Sequence, residues 1–163
     1  MADITQAFSD QVSAETGASV LSFRRARASD KAFLLNLRKA SMDEHLKAAG
    51  IFLDDQAHML RIDEFFSDSH VILLQNIAIG LLKLGQFSDH IHVRQFQLLP
   101  KYHGVGIGSR VLGLLKRKAA AKQRTITLNV LLENPARQLY LRHGFVVTGI
   151  NKLEYSMRWQ APN

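Results

Sequence analysis

The sequence contains no cysteine among its 163 residues. This absence excludes a disulfide framework, a zinc site built on thiolates and a cysteine nucleophile. It is also typical of proteins in a reducing compartment. We therefore expect a cytoplasmic location.

Long hydrophobic runs are missing as well. The longest, such as residues 77–82, fall far short of the ~20 residues that a membrane-spanning helix needs. The first 18 residues are polar and lack the basic and apolar segments of a secretory signal. We expect no membrane partner, and we interpret residues 1–18 as a polar extension of a domain that covers residues 19–163.

The composition is that of an ordinary globular protein with an excess of positive charge. Hydrophobic residues make up 47% of the chain, which is typical of the core of a single domain. The formal net charge of +7 would attract a nucleic acid or a phosphate-rich cofactor equally well. Aromatic residues are not interleaved with the basic ones as base stacking requires, so we do not expect a nucleic-acid partner.

Apolar periodicity predicts elements in the order β, α, α, β, β, β, α, β, α, β, β. Ser29 and Asp30 are expected to cap the first helix, and Gly144 is expected to end the last one. The second helical region, over residues 42–49 and 54–66, is interrupted near Gly50. The order predicts a mixed α/β domain with helices on both faces of one sheet. Strict alternation along the fourth strand, residues 91–99, would put His92, Arg94, Phe96 and Leu98 on one side.

Three glycines alternate between the fourth strand and the helix that follows it: Gly104, Gly106 and Gly108. Such a loop lets backbone N–H groups at a helix start approach an anion closely. The dinucleotide fingerprint needs a glycine where Ser109 stands, and the nucleoside-triphosphate loop needs a lysine after Gly108. The loop therefore predicts a pyrophosphate site of another kind, or only a flexible turn.

A second motif follows in residues 128–145, which are LNVLLENPARQLYLRHGF. Its Asn134, Ala136 and Tyr140, followed by Gly144 and Phe145, resemble the second cofactor motif of the GNAT acetyltransferases. Upstream, residues 98–108, LLPKYHGVGIG, resemble the first motif of the same family. The pair of motifs, at a spacing that suits the family, carries the resemblance.

The resemblance implies a single mixed, mostly antiparallel sheet of six to seven strands, with a splay between strands four and five. Acyl-CoA would enter the splay, and its pantetheine arm would run along the backbone of Phe96 and Leu98. Asn134 would contact that arm or cap its helix. Backbone N–H groups of the loop would hold the pyrophosphate, namely those of His103, Gly104, Val105, Gly106, Ile107, Gly108 and Ser109.

The resemblance also implies catalytic roles. Tyr140 would donate a proton to the departing thiolate, because a phenol with a pKa near ~10 stays protonated at neutral pH; the alternative is a packed aromatic residue. Many relatives have a glutamate early on strand four as general base, but residues 91–99 contain no carboxylate. His92 stands near that place. It would accept the proton of the amine directly or through water, unless it is merely an exposed strand residue.

Three other features have plain alternatives. The family usually has Arg or Gln where His103 stands, so a side-chain phosphate contact there is in doubt. His90 and His92 share a strand face, yet no third ligand accompanies them, and we expect no metal. A cluster of acidic residues could attract a cationic amine or form a solvated face: Asp43, Glu44, Asp54 and Asp55.

Together the motifs predict an N-acetyltransferase that transfers an acetyl group from acetyl-CoA, the acyl-donor substrate, to a primary amine by direct attack in a ternary complex. The alternative function is a non-catalytic CoA-binding or sensor domain on the same fold. The sequence does not distinguish a small-molecule amine from a peptide amine as acceptor, and it leaves a homodimer open.

Overall fold

The computed structural model describes residues 20–162, so the predicted extension over residues 1–18 lies outside the described part. Within this part, seven strands form one sheet in the order β1-β2-β3-β4-β5-β7-β6, and only the β4–β5 pair is parallel. This confirms the predicted mixed, mostly antiparallel sheet. The strands are β1 (Leu21–Arg25), β2 (Ser69–Leu74), β3 (Ile77–Gln86), β4 (His90–Leu98), β5 (Thr125–Leu131), β6 (Val146–Ile150) and β7 (Glu154–Trp159).

Four α-helices accompany the sheet in this part of the chain: α1 (Lys31–Ala48), α2 (Asp55–Asp63), α3 (Ile107–Ala121) and α4 (Ala136–Arg142). The first helix continues without a break through residues 40–42, so the region predicted to begin a second helix at residue 42 belongs to α1. The prediction that the next helix reaches residue 66 is also wrong. Phe65 adopts the left-handed conformation (φ 52°), which a continuing helix cannot include.

The predicted cap of the first helix differs in its chemistry. Asp30 precedes α1, but its side chain makes no capping hydrogen bond to that helix. Its carboxylate instead accepts two 2.8 Å hydrogen bonds from the Arg24 guanidinium of β1 and one of 2.7 Å from the Arg27 N–H. The hydrogen bond from Arg24 is the main reason that the pKa of Asp30 lies below its ordinary value. Asp30 therefore ties the start of α1 to β1.

The helices cover both faces of the sheet, as predicted. On one face, α3 contributes Val111, Leu112 and Leu115 to the main core, and α4 contributes Tyr140. On the other face, a smaller core joins α1, α2 and β3 through Leu34, Leu37, Ile62 and Leu81. The spacing of the apolar residues in α3 gives it one buried stripe, which is why this helix was predictable from periodicity.

A bulge in β4 overturns the alternation predicted for that strand. Gln95 pairs with Lys83, and Val93 pairs with Leu84, which leaves Arg94 as an extra residue. One extra residue exchanges the two faces for every side chain beyond it. Phe96 and Leu98 therefore lie on the face of α3 and not on that of His92. The residues of β4 that pack in or against the main core are Ile91, Val93, Phe96 and Leu98.

Strands β4 and β5 diverge after a short parallel ladder. Residues 90–93 pair with residues 125–128, and no ladder joins residues 94–98 to residues 129–131. This confirms the predicted splay between strands four and five. The open wedge begins where the bulge in β4 ends, so both features shape the same region.

Candidate functional site

One cavity lies at the mouth of the wedge, between the glycine loop and the start of α4. It has a volume of about 440 Å³, and we call it the loop cavity. It brings together eight of the ten residues that were predicted to bind the donor. Those eight are Phe96, Leu98, His103, Gly104, Gly106, Gly108, Ser109 and Asn134.

The other two predicted residues of the loop do not line this cavity. The Val105 side chain is 65% exposed, and Ile107 is buried in the main core. Their predicted contacts involved backbone N–H groups, so the direction of their side chains leaves that prediction untested. Ile107 is the first residue of α3, where an N–H group has no intrahelical acceptor.

The three positions of the loop require glycine for different structural reasons. Gly104 and Gly106 have left-handed backbones (φ 72° and 87°), which residues with a Cβ adopt at a cost. Gly108 lies inside α3 with an ordinary backbone, but a Cβ there would approach Leu139 Cδ2 of α4 within 3.0 Å. Two glycines thus shape the turn, and the third allows α3 and α4 to pack closely.

Two polar side chains of the loop cavity already have protein partners. His103 Nε2 donates a 2.7 Å hydrogen bond to the Leu98 carbonyl, which ties the loop to the end of β4. Ser109 Oγ lies 3.0 Å from His143 Nε2, at the end of α4. The first contact holds the loop in place, and the second joins the start of α3 to the end of α4. The positive end of the α3 dipole borders the cavity, where it would favour an anion.

Tyr140 is held by the way in which α4 ends. Gly144, with φ 86°, donates to the Leu141 carbonyl at 3.1 Å, and Phe145 donates to the Tyr140 carbonyl at 3.0 Å. These two bonds form a Schellman motif, whose usual apolar contact is present because the Tyr140 and Phe145 rings meet edge to face with centroids 5.6 Å apart. Gly144 and Phe145 thereby fix the position of the phenol.

The Tyr140 side chain is buried, and burial raises its pKa above the ordinary value for a phenol. The hydroxyl makes no hydrogen bond to residues 20–162. It is therefore a neutral donor with an unused proton. Tyr140 lines the loop cavity and also a second cavity deeper in the wedge.

The second cavity, which we call the inner cavity, has a volume of about 370 Å³. Its walls come from α1, α2, β4, β5, α4 and the start of β7. It shares with the loop cavity the residues Phe96, Asn134, Ala136 and Tyr140. Asn134 Oδ1 accepts a 2.9 Å hydrogen bond from the Ala136 N–H, so it caps the first turn of α4, which begins at Ala136.

His92 lies outside the inner cavity. Its Nδ1 is 2.7 Å from Thr127 Oγ1, and its residue lines a neighbouring space of about 290 Å³, which we call the outer cavity. Burial, followed by the charges of Arg94 and His90, lowers the pKa of His92 below its ordinary value. The imidazole is therefore neutral at pH 7 and able to accept a proton.

Glu154 was not among the sequence-based candidates. It is the first residue of β7 and lines both the inner and the outer cavity. Its position arises because β7 inserts between β5 and β6, which places Glu154 opposite Leu131 at the open end of β5. No local motif surrounds Glu154, so only knowledge of the strand order could have found it.

The acidic cluster lines neither the loop cavity nor the inner cavity. Asp43 and Asp54 instead border a separate, more open space of about 520 Å³. Asp43 contacts His58 Nε2 at 2.7 Å, Asp54 caps α2 through the Ala57 N–H at 2.8 Å, and Asp55 pairs with Lys39 at 2.8 Å. Asp43 and Asp55 therefore join α1 to α2, while Asp54 stabilises the start of α2. Among residues 20–162 no group of three metal-ligating side chains converges, and no helix there is long and apolar enough to cross a membrane.

The chain is similar to a known domain family and to several solved structures. Residues 67–147 match the acetyltransferase (GNAT) domain family. No curated protein sequence matches the chain significantly. Among solved structures, an acetyltransferase from Thermus thermophilus has a TM-score of 0.69 at 17% identity, with 86% of this chain and 97% of that chain covered.

Two further structures are similar in the same way. The PaiA N-acetyltransferase from Thermoplasma acidophilum, solved in complex with coenzyme A, has a TM-score of 0.68 at 17% identity. The alignment covers 86% of this chain and 99% of the PaiA chain. Arabidopsis thaliana Naa50, in complex with the bisubstrate analogue CoA-Ac-MVNAL, has a TM-score of 0.62 at 18% identity, with the same coverage. At such identities the likeness establishes the fold. With the matching domain family and the splayed sheet, it follows that the chain belongs to the GNAT superfamily of acyl-CoA-dependent N-acetyltransferases.

Proposed function

We propose that this protein transfers an acetyl group from acetyl-CoA to a primary amine by direct attack in a ternary complex. The observation that carries the proposal is the position of Tyr140. Its buried phenol, without a protein partner, stands where the loop cavity and the inner cavity meet. One cavity would hold the donor and the other the acceptor, so that the reacting atoms meet beside a proton donor.

The loop cavity has the chemistry that a pyrophosphate requires. Two left-handed glycines bring the backbone close to a ligand, and the start of α3 offers free N–H groups at the positive end of a helix dipole. The unpaired edge of β4 beyond the ladder with β5 would hold the pantetheine arm through the backbone of Phe96 and Leu98. The PaiA and Naa50 structures carry coenzyme A or a CoA conjugate, which supports acetyl-CoA as donor here.

Every proton and bond of the proposed acetyl transfer can be accounted for. The ammonium loses one proton, the free amine forms a C–N bond to the acetyl carbon, the nitrogen loses its second proton, and the C–S bond breaks as Tyr140 donates a proton to sulfur. Tyr140 then regains a proton from solvent, so the products are an amide, a thiol and one proton. Burial raises the pKa of Tyr140, but the same desolvation raises the pKa of the departing thiol, which keeps the transfer within reach.

Glu154 and His92 form the proposed route for the proton that leaves the amine. Glu154 borders the inner cavity and takes the proton there, and His92 accepts it through water in the outer cavity, which both residues line. This route replaces the strand-four carboxylate that the sequence lacks. Domain boundaries at residues 19 and 163 and a cytoplasmic location are parts of the same proposal.

The test is release of free CoA thiol from acetyl-CoA in the presence of a panel of primary amines and peptides, followed by mass analysis of the product. An acetylated amine, with release that depends on the amine, supports the proposal. The runner-up, a non-catalytic CoA-binding domain, rests on the absence of a carboxylate from β4. Tight CoA binding without transfer to any member of the panel would favour it.

A further inference from the structure

Arg38 is an unusual feature of the inner cavity. Arg38 belongs to α1 and is only 7% exposed, yet it lines the cavity wall. Its Nε donates a 3.0 Å hydrogen bond to His58 Nδ1, and His58 Nε2 lies 2.7 Å from Asp43 Oδ1. Because Arg38 can only donate, the His58 proton must be on Nε2 and point to Asp43.

This chain of contacts fixes the direction of the guanidinium and uses only one of its nitrogens. The terminal nitrogens of Arg38 have no acceptor among residues 20–162. These N–H groups are open to the cavity, where an acceptor on a ligand can replace water. The fork of two N–H donors matches a carboxylate or phosphate group.

A second arginine reaches the same cavity from α2. The Arg61 side chain has no partner in the described part of the chain. Its backbone is held firmly, because the buried Lys83 Nζ donates to the carbonyls of Arg61, Ile62 and Glu64 at 3.1, 3.2 and 2.7 Å. Burial, with a contribution from the Arg61 charge, lowers the pKa of Arg38 to about 10. An anion between the two would relieve that repulsion.

A third arginine on the cavity wall differs from these two. Arg94 Nε donates to Asp68 at 3.1 Å, and the guanidinium lies 3.6 Å from the centroid of the Phe65 ring. It is therefore already engaged. Among residues 20–162, Glu154 is the only acidic residue that lines the inner cavity. The free positive charge of this wall thus comes from Arg38 and Arg61.

Two amide oxygens beside the cavity lack a donor. Gln95 and Gln97 follow the bulge in β4 and line the same wall, and their Oε1 atoms are buried without a hydrogen-bond partner. Because protein atoms cover both oxygens, a ligand N–H would reach them only after the amide groups turn toward the cavity. Glu154, on the same wall, would face the amine, while the arginines face an anion.

We propose that the amine acceptor carries an anionic group, a carboxylate or a phosphate, which Arg38 and Arg61 bind in the inner cavity. This inference rests on the proposed function, since it names the class of acceptor for the same site. It excludes plain alkylamines as good substrates. It also assigns His58 and Asp43 a positioning role, because they orient Arg38 without touching the ligand.

The experiment compares matched acceptors that differ only in the anion. The pairs are γ-aminobutyrate with butylamine, O-phosphoethanolamine with ethanolamine, and a short peptide amide whose second residue is aspartate or asparagine. We expect the anionic member to have a kcat/KM at least about tenfold higher, the scale of one charged hydrogen bond. Which pair shows the preference distinguishes carboxylate from phosphate. Equal rates within every reacting pair would overturn the inference and leave the acetyl transfer intact.

The variants are Arg61→Gln and Arg38→Gln, with Lys122→Gln as control. Lys122 is exposed after α3, at the opposite end from the glycine loop, and its loss changes the net charge equally. Both arginine variants should lose the preference, and the control should keep it. Arg61→Gln removes no protein contact of that side chain, so it stays informative if Arg38→Gln fails to fold. A preference that survives Arg61→Gln and a folded Arg38→Gln would overturn the inference.

A second measurement covers the case in which no amine is acetylated, which would contradict the proposed function itself. Calorimetry then follows the binding of the same anionic amines to the CoA-loaded protein. Binding that Arg61→Gln abolishes and Lys122→Gln retains would support the anion site on its own. Absence of binding to the wild-type protein would overturn it.

Discussion

At the scale of single residues, the phenol of Tyr140 makes the sharpest prediction. Tyr140→Phe removes a hydroxyl without a protein partner and keeps the ring contact with Phe145. Loss of a positioned proton donor should lower the single-turnover rate by about 10²–10⁴-fold. The Kd for acetyl-CoA should change little, because the lost interaction belongs mainly to the transition state.

Tyr155→Phe is the matched control. Tyr155 lies on β7 beneath Arg137, with 4.5 Å between the guanidinium carbon and the ring centroid, and lines none of the three cavities. The Tyr155→Phe variant should therefore keep the wild-type single-turnover rate. A wild-type rate in Tyr140→Phe would make Tyr140 a packing residue, and a large loss of CoA binding would make it a donor ligand.

The proposed proton route gives a second prediction at this scale. Glu154→Gln should lower kcat by about 10²–10⁴-fold because it removes the base that borders the inner cavity. His92→Asn should have a smaller effect, because His92 acts only through water. Since a base works when deprotonated, kcat/KM should fall at low pH, and this fall should persist in His92→Asn. If the fall vanishes in His92→Asn and persists in Glu154→Gln, His92 is the base.

At the scale of elements, the glycine loop allows a paired test. Gly106→Ala puts a Cβ on a left-handed residue and should destabilise the protein by about 1–2 kcal/mol. Gly113→Ala, inside α3 with only Arg117 Nη1 near the new Cβ at 3.7 Å, should stabilise it by about 0.5–1 kcal/mol. Urea unfolding measures both. Shifts of the same sign would contradict the assigned backbone strain.

The same loop distinguishes backbone from side-chain recognition of the phosphates. Gly106→Val should weaken CoA binding in calorimetry by distorting the N–H groups that face the cavity. His103→Ala should weaken it less, because the His103 ring donates to the Leu98 carbonyl and its backbone N–H donates to the Pro100 carbonyl at 3.0 Å. Against the sequence-based prediction, the His103 N–H is thus already used within the protein. A larger loss from His103→Ala would mean that the imidazole holds the phosphates.

The elements also show which parts of the structure could be predicted from the sequence. Strong local signals were sufficient for α3 and for Gly144 at the end of α4. The bulge at Arg94 has no local signal, because it depends on how β4 pairs with β3. Arg38 and Glu154 were missed for the same reason, since tertiary packing brings residues from distant parts of the chain to one cavity.

At the scale of the whole molecule, binding of the donor should appear as added stability. A ligand that binds only the folded state, present at ~100 times its Kd, adds about 2.7 kcal/mol and raises the Tm. Acetyl-CoA and CoA should both do so, because the glycine loop and the start of α3 offer N–H groups to the pyrophosphate. Pantetheine, which has no pyrophosphate, should raise the Tm much less at the same concentration.

Salt provides the decisive contrast in that experiment. Attraction between a chain of net charge +7 and a phosphate-bearing ligand is screened by added salt, whereas contacts of the pantetheine arm with the backbone of β4 are not. The Tm shift caused by CoA should therefore shrink between low and high ionic strength, while the smaller shift caused by pantetheine should stay nearly constant. Equal shifts from both ligands at every salt concentration would remove the phosphate-binding role of the glycine loop and leave the wedge between β4 and β5 as the whole donor site.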